Sequence, residues 1–120
     1  WDEGGDDMTY RIKHVGINNE TGQQARALAD ELCEILGLEQ ISESPSSIFA
    51  GEIFEVMKHS NRGTHGHLAL QTEDVEAAMA ELAGKGITFY ENTIRRDKDG
   101  KIIFVYLQQQ FGGFAIHLTI

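Results

Sequence analysis

One proline, one cysteine and no long apolar run characterise this 120-residue chain as much as anything it contains. A single proline enforces few breaks, and with 41% hydrophobic residues the composition is that of one folded domain with a genuine core. The lone Cys33 excludes an intrachain disulfide and agrees with a reducing, cytoplasmic setting. It sits in a helical pattern beside Leu32 and Ile35, where it reads as a buried structural thiol. No apolar stretch approaches the roughly 18 residues a membrane span needs, and no signal-peptide pattern opens the chain. Basic residues are scarce as well: 10 Lys and Arg stand against 19 Asp and Glu, for a net charge of −9. That balance argues against nucleic acid and anionic membrane as partners. Part of it is local, because "WDEGGDD" places four acids in the first seven residues. Residues 1–9 are expected to be a flexible leader; Met8 suits a natural start, and a linker from a preceding domain suits the same stretch.

What is present is a repetition. "KHVGINNETGQQARALADEL" begins at Lys13 and "GHLALQTEDVEAAMAEL" at Gly66, each a histidine-bearing strand pattern followed by an amphipathic helix. In the first, His14 and Gly16 face one way and Val15 and Ile17 the other, as period-2 alternation requires. Ala25, Leu28, Ala29, Leu32, Ile35 and Leu36 then form one helical stripe, with Gly37 as its stop. In the second, His67, Ala69 and Gln71 share a face opposite Leu68 and Leu70. Thr72 is the candidate N-cap of a helix striped by Val75, Ala78, Met79 and Leu82, which "GKG" ends. Strand patterns follow both helices. The first copy has a stretch from Leu38 to Ser42, then "SIFAG" and "EIFEVMK"; the second has "ITFYENTI", "KIIFVYLQ" and "FAIHLTI", with "RRDKDGK" as a hairpin turn. Each unit therefore reads β-α-β-β-β, module 1 over about 10–60 and module 2 over about 64–120. Two copies are too few for a solenoid, so the duplication predicts one sheet closed by two modules within a single α+β domain, 10–120.

The first and last strand of each module carry one metal-competent side chain apiece: His14 and Glu55, His67 and His117. Taken with "KHVGI", "FEVMK", "GHLALQTEDVEAAMAELAGKGI" and "GGFAIHLTI", the sequence resembles the vicinal oxygen chelate superfamily, which includes glyoxalase I, bleomycin-resistance proteins and extradiol dioxygenases. The resemblance implies two βαβββ modules forming one cupped mixed sheet around a cleft. It also implies a divalent metal on His14, Glu55, His67 and His117, the donor set suiting Zn, Ni, Mn or Fe. "SSIFAG", "EVMK" and "GGFAIHL" are similar, more narrowly, to a module fused to some 2-keto-3-deoxy-6-phosphogluconate aldolases. That implies an aldolase domain as a partner, since no aldolase barrel fits in this chain. Two departures weaken a plain glyoxalase assignment. His117 stands where a glutamate is common, and module 1 is short, with 41 residues from His14 to Glu55 against 50 from His67 to His117.

Two functions follow from the resemblance. One is a metal-dependent lyase or isomerase acting on a small α-hydroxycarbonyl or sugar acid, with Glu55 as ligand or, once displaced, as the base at a carbon beside a polarised carbonyl. The other is a non-catalytic module that binds a ligand or helps an aldolase assemble. Exposed sheet edges suggest a homodimer. The alternative reading of the four side chains is a hydrogen-bonded polar cluster. His65 lies two residues before His67 but inside the glycine-punctuated "NRGTHG", which favours a loop role. His59 is expected at an exposed strand end, Arg95 and Arg96 at a solvated hairpin tip with an anionic ligand as the other option, and "FGGF" in a turn.

Overall fold

Local signals set where each element begins and ends. The computed structural model describes residues 8–120 and contains β1 (Arg11–Ile17), α1 (Gly22–Leu36), β2 (Gln40–Glu43), β3 (Ser47–Ala50), β4 (Phe54–Met57), β5 (Gly66–Gln71), α2 (Val75–Ala83), β6 (Phe89–Arg96), β7 (Ile102–Leu107) and β8 (Phe114–Thr119). Helix α1 starts where the Thr21 side chain accepts from the Gln24 N–H. It ends at Gly37, whose left-handed backbone (φ 68°) turns its N–H back to the Cys33 carbonyl. Most of the expected leader, residues 1–7, lies outside the described residues. At its end, the Met8 N–H donates to Glu81 at 3.2 Å and Met8 packs against the hydrophobic cluster that includes Val75 and Leu118.

All eight strands join one mixed sheet in the order β2-β3-β4-β1-β5-β8-β7-β6. Within each module the first strand runs parallel to the last, β1 with β4 and β5 with β8, and the modules meet where β1 pairs antiparallel with β5. This is the expected α+β fold of two βαβββ units. A helix covers one face of each half. Ala25 and Ala29 of α1 pack on Ile48 and Val56, while Val75 and Ala78 of α2 pack on Ile102, Val105, Leu107 and Leu118. Alternation then sends the other side chains of β1, β4, β5 and β8 to the opposite, concave face. No helix among the described residues is long and apolar enough to cross a membrane.

Three local expectations are corrected. The stripe of α1 is apolar to its end in sequence, but Ile35 is 71% and Leu36 53% exposed because the last turn runs past the short strands β3 and β4. Cys33 is for the same reason only half-buried. The N-cap of α2 is Asp74, not Thr72: the Asp74 carboxylate accepts from the Ala77 N–H at 3.0 Å, whereas Thr72 is buried and its N–H donates to Thr119. Asp74→Ala should therefore lower stability by about 1 kcal/mol, roughly 4 °C in thermal midpoint, and Asp74→Asn should retain most of it. An unchanged midpoint in Asp74→Ala would assign the helix start elsewhere.

Candidate metal centre

Strand register brings the four expected side chains together. Gly16 on β1 stands opposite Glu55 on one side and His67 on the other. One row along, Ala69 on β5 stands opposite His14 and His117. Two adjacent rows of the concave face thus each carry two functional groups with a small residue between them. The smallness of Gly16 is a requirement, because a Cβ there would lie 2.1 Å from the His67 ring. The positive φ of Gly66 (151°) has a related cause: a Cβ at that position would meet the Gly16 carbonyl oxygen at 1.8 Å, so only glycine lets β5 enter this close to β1.

The resulting donors are close. His14 Nε2 lies 3.3 Å from His67 Nε2, and Glu55 Oε1 lies 3.4 Å from the first and 3.0 Å from the second. His117 completes the group, with ring centroids 5.5 Å from both His14 and His67. One nitrogen from each of the three imidazoles falls within 4.8 Å of the others. The second Glu55 oxygen accepts from the Ser47 hydroxyl at 2.8 Å.

Burial shapes the electrostatics. His117 is 4% exposed, and desolvation together with the neighbouring His67 and His14 pulls its proton affinity down to about 3. It is therefore a neutral imidazole, the form that ligates metal. Burial alone would raise the Glu55 carboxyl; the hydrogen bonds to His14, His67 and Ser47 outweigh it and hold the group ionised well below the usual carboxylate range. Tyr106, pushed up to about 12 by burial and by the Glu55 charge, keeps its proton.

These residues fit a divalent ion. Donors bound tetrahedrally at about 2.0–2.2 Å stand roughly 3.3–3.5 Å from one another, close to the spacings around His14. Nδ1 of His67, whose Nε2 is the nitrogen facing His14 and Glu55, is buried with no hydrogen-bond partner among the described residues.

The centre lies on the floor of a cleft of about 590 Å³. Bulges build its walls. The register of β1 slips between Ile12 and His14, so Lys13 and His14, adjacent in sequence, both line it. On β6, residues 91–94 bulge out between the pairs Tyr90↔Tyr106 and Arg95↔Phe104. The Thr93 hydroxyl repairs that break, donating to the Tyr90 carbonyl at 2.6 Å and accepting from the Tyr106 N–H at 2.9 Å. Asn92, Thr93, Ile94 and Arg95 consequently face the cleft. The hairpin-tip reading holds for Arg96, which donates to the Gly100 carbonyl; Arg95 is exposed as expected, but on a strand whose bulge sets it along the cleft.

Of the remaining histidines, His59 is exposed at the end of β4, and His65 is exposed in the loop before β5 with its ring over Gly113 and against Phe114. Neither joins the cluster. "FGGF" is a hairpin turn closed by hydrogen bonds between Phe111 and Phe114. Sequence reasoning missed Ser47, Phe104, Tyr106 and Arg62. Ser47 shares its strand face with Phe49, whose ring meets His14 edge-on, and Tyr106 shares its face with Phe104.

No protein-family model and no curated protein sequence matches the chain. Solved structures do. Methylmalonyl-CoA epimerase from Mycobacterium tuberculosis superposes with a TM-score of 0.63 at 17% identity, over 90% of this chain and 85% of that one. A variant of methylmalonyl-CoA epimerase from Streptomyces coelicolor, in complex with 2-nitronate-propionyl-CoA, gives 0.62 at 20% identity, over 93% and 94%. A hypothetical protein from Bacillus halodurans C-125 gives 0.61 at 14% identity, over 92% and 94%. At these identities the likeness is one of fold: the chain shares the architecture of these structures over nearly its whole length.

Proposed function

We propose that this chain holds one divalent metal ion, Zn, Ni, Mn or Fe, on His14, Glu55, His67 and His117. Beside it the cleft takes a small molecule with two adjacent oxygen donors, an α-hydroxycarbonyl or sugar acid, for chemistry of the glyoxalase type. The observation that carries this reading is the meeting of His14 and His67 at 3.3 Å over one carboxylate oxygen, with a third imidazole on the same cleft floor. When bound, such an ion supplies a Lewis acid for a carbonyl oxygen and acidifies the neighbouring C–H.

The chain's own groups divide the rest. Ser47 fixes the free oxygen of Glu55 and so orients the carboxylate towards the two imidazoles. Tyr106 presents a neutral phenol throughout the physiological range. Phe104, tilted against His117 with centroids 4.4 Å apart, covers that imidazole from water. Glu55 is the single carboxylate among the described cleft-lining residues. Its contacts with His14, His67 and Ser47 hold it ionised and suit it to the role of ligand, and it can reach a proton on carbon only after leaving the imidazoles.

That constraint favours a second reading: the same cup retaining a ligand without turning it over, alone or beside an aldolase domain. Hydrogen–deuterium exchange separates the two. Protein loaded in turn with Zn, Ni, Mn and Fe(II) is incubated in D2O with glyceraldehyde, a 2-oxo sugar acid and methylmalonyl-CoA, and the C–H signals beside the carbonyl are followed by NMR. Metal-dependent exchange that disappears in His117→Ala supports an enzyme. Stoichiometric metal with no exchange on any probe would leave the binding module.

A further inference from the structure

Resting on the proposed small-molecule cleft, we infer that its ligand is anionic, and that Arg62 and Arg95 grip a carboxylate or phosphate group on it. The guanidinium of Arg62 lies over two rings, 4.8 Å from the Tyr90 centroid and 5.0 Å from that of Tyr106. That of Arg95 lies 4.6 Å over Phe104. The Phe104 and Tyr106 centroids are 5.6 Å apart, so the two cations rest on neighbouring members of one aromatic wall. The Phe104 ring is also what separates Arg95 from His117. A group held by the arginines and oxygen donors held at the imidazoles therefore belong to one compact molecule.

Several other cations of the protein are paired. Arg26 and Lys58 share Glu43, Lys85 meets Glu81, and Arg96 donates to a backbone carbonyl. Among the described residues neither the Arg62 nor the Arg95 guanidinium has such a partner, in a chain with nearly twice as many acids as bases. Stacking on a ring occupies only the face of a guanidinium and leaves its in-plane N–H donors for a planar or tetrahedral oxyanion. Both charges also act on the Tyr106 phenol, which they pull down against its burial. Lys13, whose ammonium donates to the Ile120 carbonyl at 3.0 Å, is a third cation of the cleft lining, and Asn61 and Asn92 add neutral donors. The single carboxylate there, Glu55, is engaged by His14, His67 and Ser47. A locally positive cleft in a chain of net charge −9 concentrates small anions at the site.

The test is calorimetric titration of inorganic phosphate, glycolate, phosphoglycolate and uncharged glycolamide into metal-stripped and metal-loaded protein. The parent is compared with Arg62→Gln, Arg95→Gln, Arg95→Lys and, as a control, Arg96→Gln. The anionic probes should bind, and each cleft Gln variant should lose about tenfold or more in affinity for them, as removal of a charged hydrogen bond predicts. Arg95→Lys should recover part of the loss, and Arg96→Gln should match the parent. Phosphate without glycolate, or the reverse, identifies which oxyanion is read. Equal affinity for glycolamide and phosphoglycolate, or unchanged affinity in both Gln variants, would overturn the inference. Metal content of the same samples keeps the two ideas apart. A metal-free parent that still binds phosphate through Arg95 removes the metal reading alone, and a metal-loaded parent indifferent to the arginines removes the anion site alone.

Discussion

Protein purified without chelators or a polyhistidine tag should carry close to one divalent ion per chain, and His67→Ala should lose it while His65→Ala keeps it. Sequence proximity does not separate these two residues; geometry does. His67 is 3% exposed, with its Nε2 within 3.3 Å of His14 and 3.0 Å of Glu55. His65 is exposed, contributes backbone hydrogen bonds to Gly113 and Asn18 that alanine would retain, and stacks its ring on Phe114. Protein-bound zinc is typically worth on the order of 10–16 kcal/mol in total, so removing one of four donors should cost about 3 kcal/mol, roughly a hundredfold in affinity. Metal analysis after dialysis reads that difference directly. A parent that stays metal-free after incubation with Zn, Ni, Mn and Fe(II) would reduce the cluster to a polar hydrogen-bonded one. Release by His65→Ala as well would mean that the true anchor is the His-X-His pair.

Gly16→Ala should damage both stability and metal retention, although glycine-to-alanine in a strand is ordinarily mild or favourable. The added methyl would lie 2.1 Å from Cε1 and Nδ1 of His67 and 2.7 Å from Nε2. The imidazole is buried among His14, His117 and Tyr106, so a shift large enough to clear the methyl disturbs those neighbours. Forced repacking of this kind costs about 1–3 kcal/mol, and any rotation that relieves it breaks the contacts to His14 and Glu55. Gly22→Ala is the matched control. Nothing lies within 4 Å of its added Cβ, and at the start of α1 alanine should be neutral or stabilising by up to about 1 kcal/mol. Thermal midpoints and metal content of the two variants are the measurement. A Gly16→Ala protein that melts with the parent and holds its ion would show that the His67 ring is free to choose another position.

Some of the site was open to reading without coordinates because period-2 alternation and duplication are local properties. "KHVGI" puts His14 and Gly16 on one face of β1, and "GHLAL" puts His67 and Ala69 on one face of β5, whatever the rest of the chain does. The equivalent positions Glu55 and His117 follow from aligning the two modules. The cap of α2 was misjudged because Thr72 and Asp74 are both good N-cap residues and only the path of the chain out of β5 selects between them. That Arg95 would lie along the cleft was not legible, because a bulge, which no alternation rule foresees, shifts the register of β6.

By itself, then, the sequence determined the order of the elements, the two-module α+β plan and the identity of the four clustered side chains. These depend on periodicity and on interactions between near neighbours. Only the tertiary structure decided that Gly16 and Ala69 would be the spacers between those side chains, that Ser47 would hold Glu55, and that Arg62 and Arg95 would rest on the Tyr106 and Phe104 rings. Each of those facts depends on the register of strands distant in sequence. Register is set when the helix-side faces of β4, β5, β7 and β8 are buried together, and the local sequence of any one strand does not encode it.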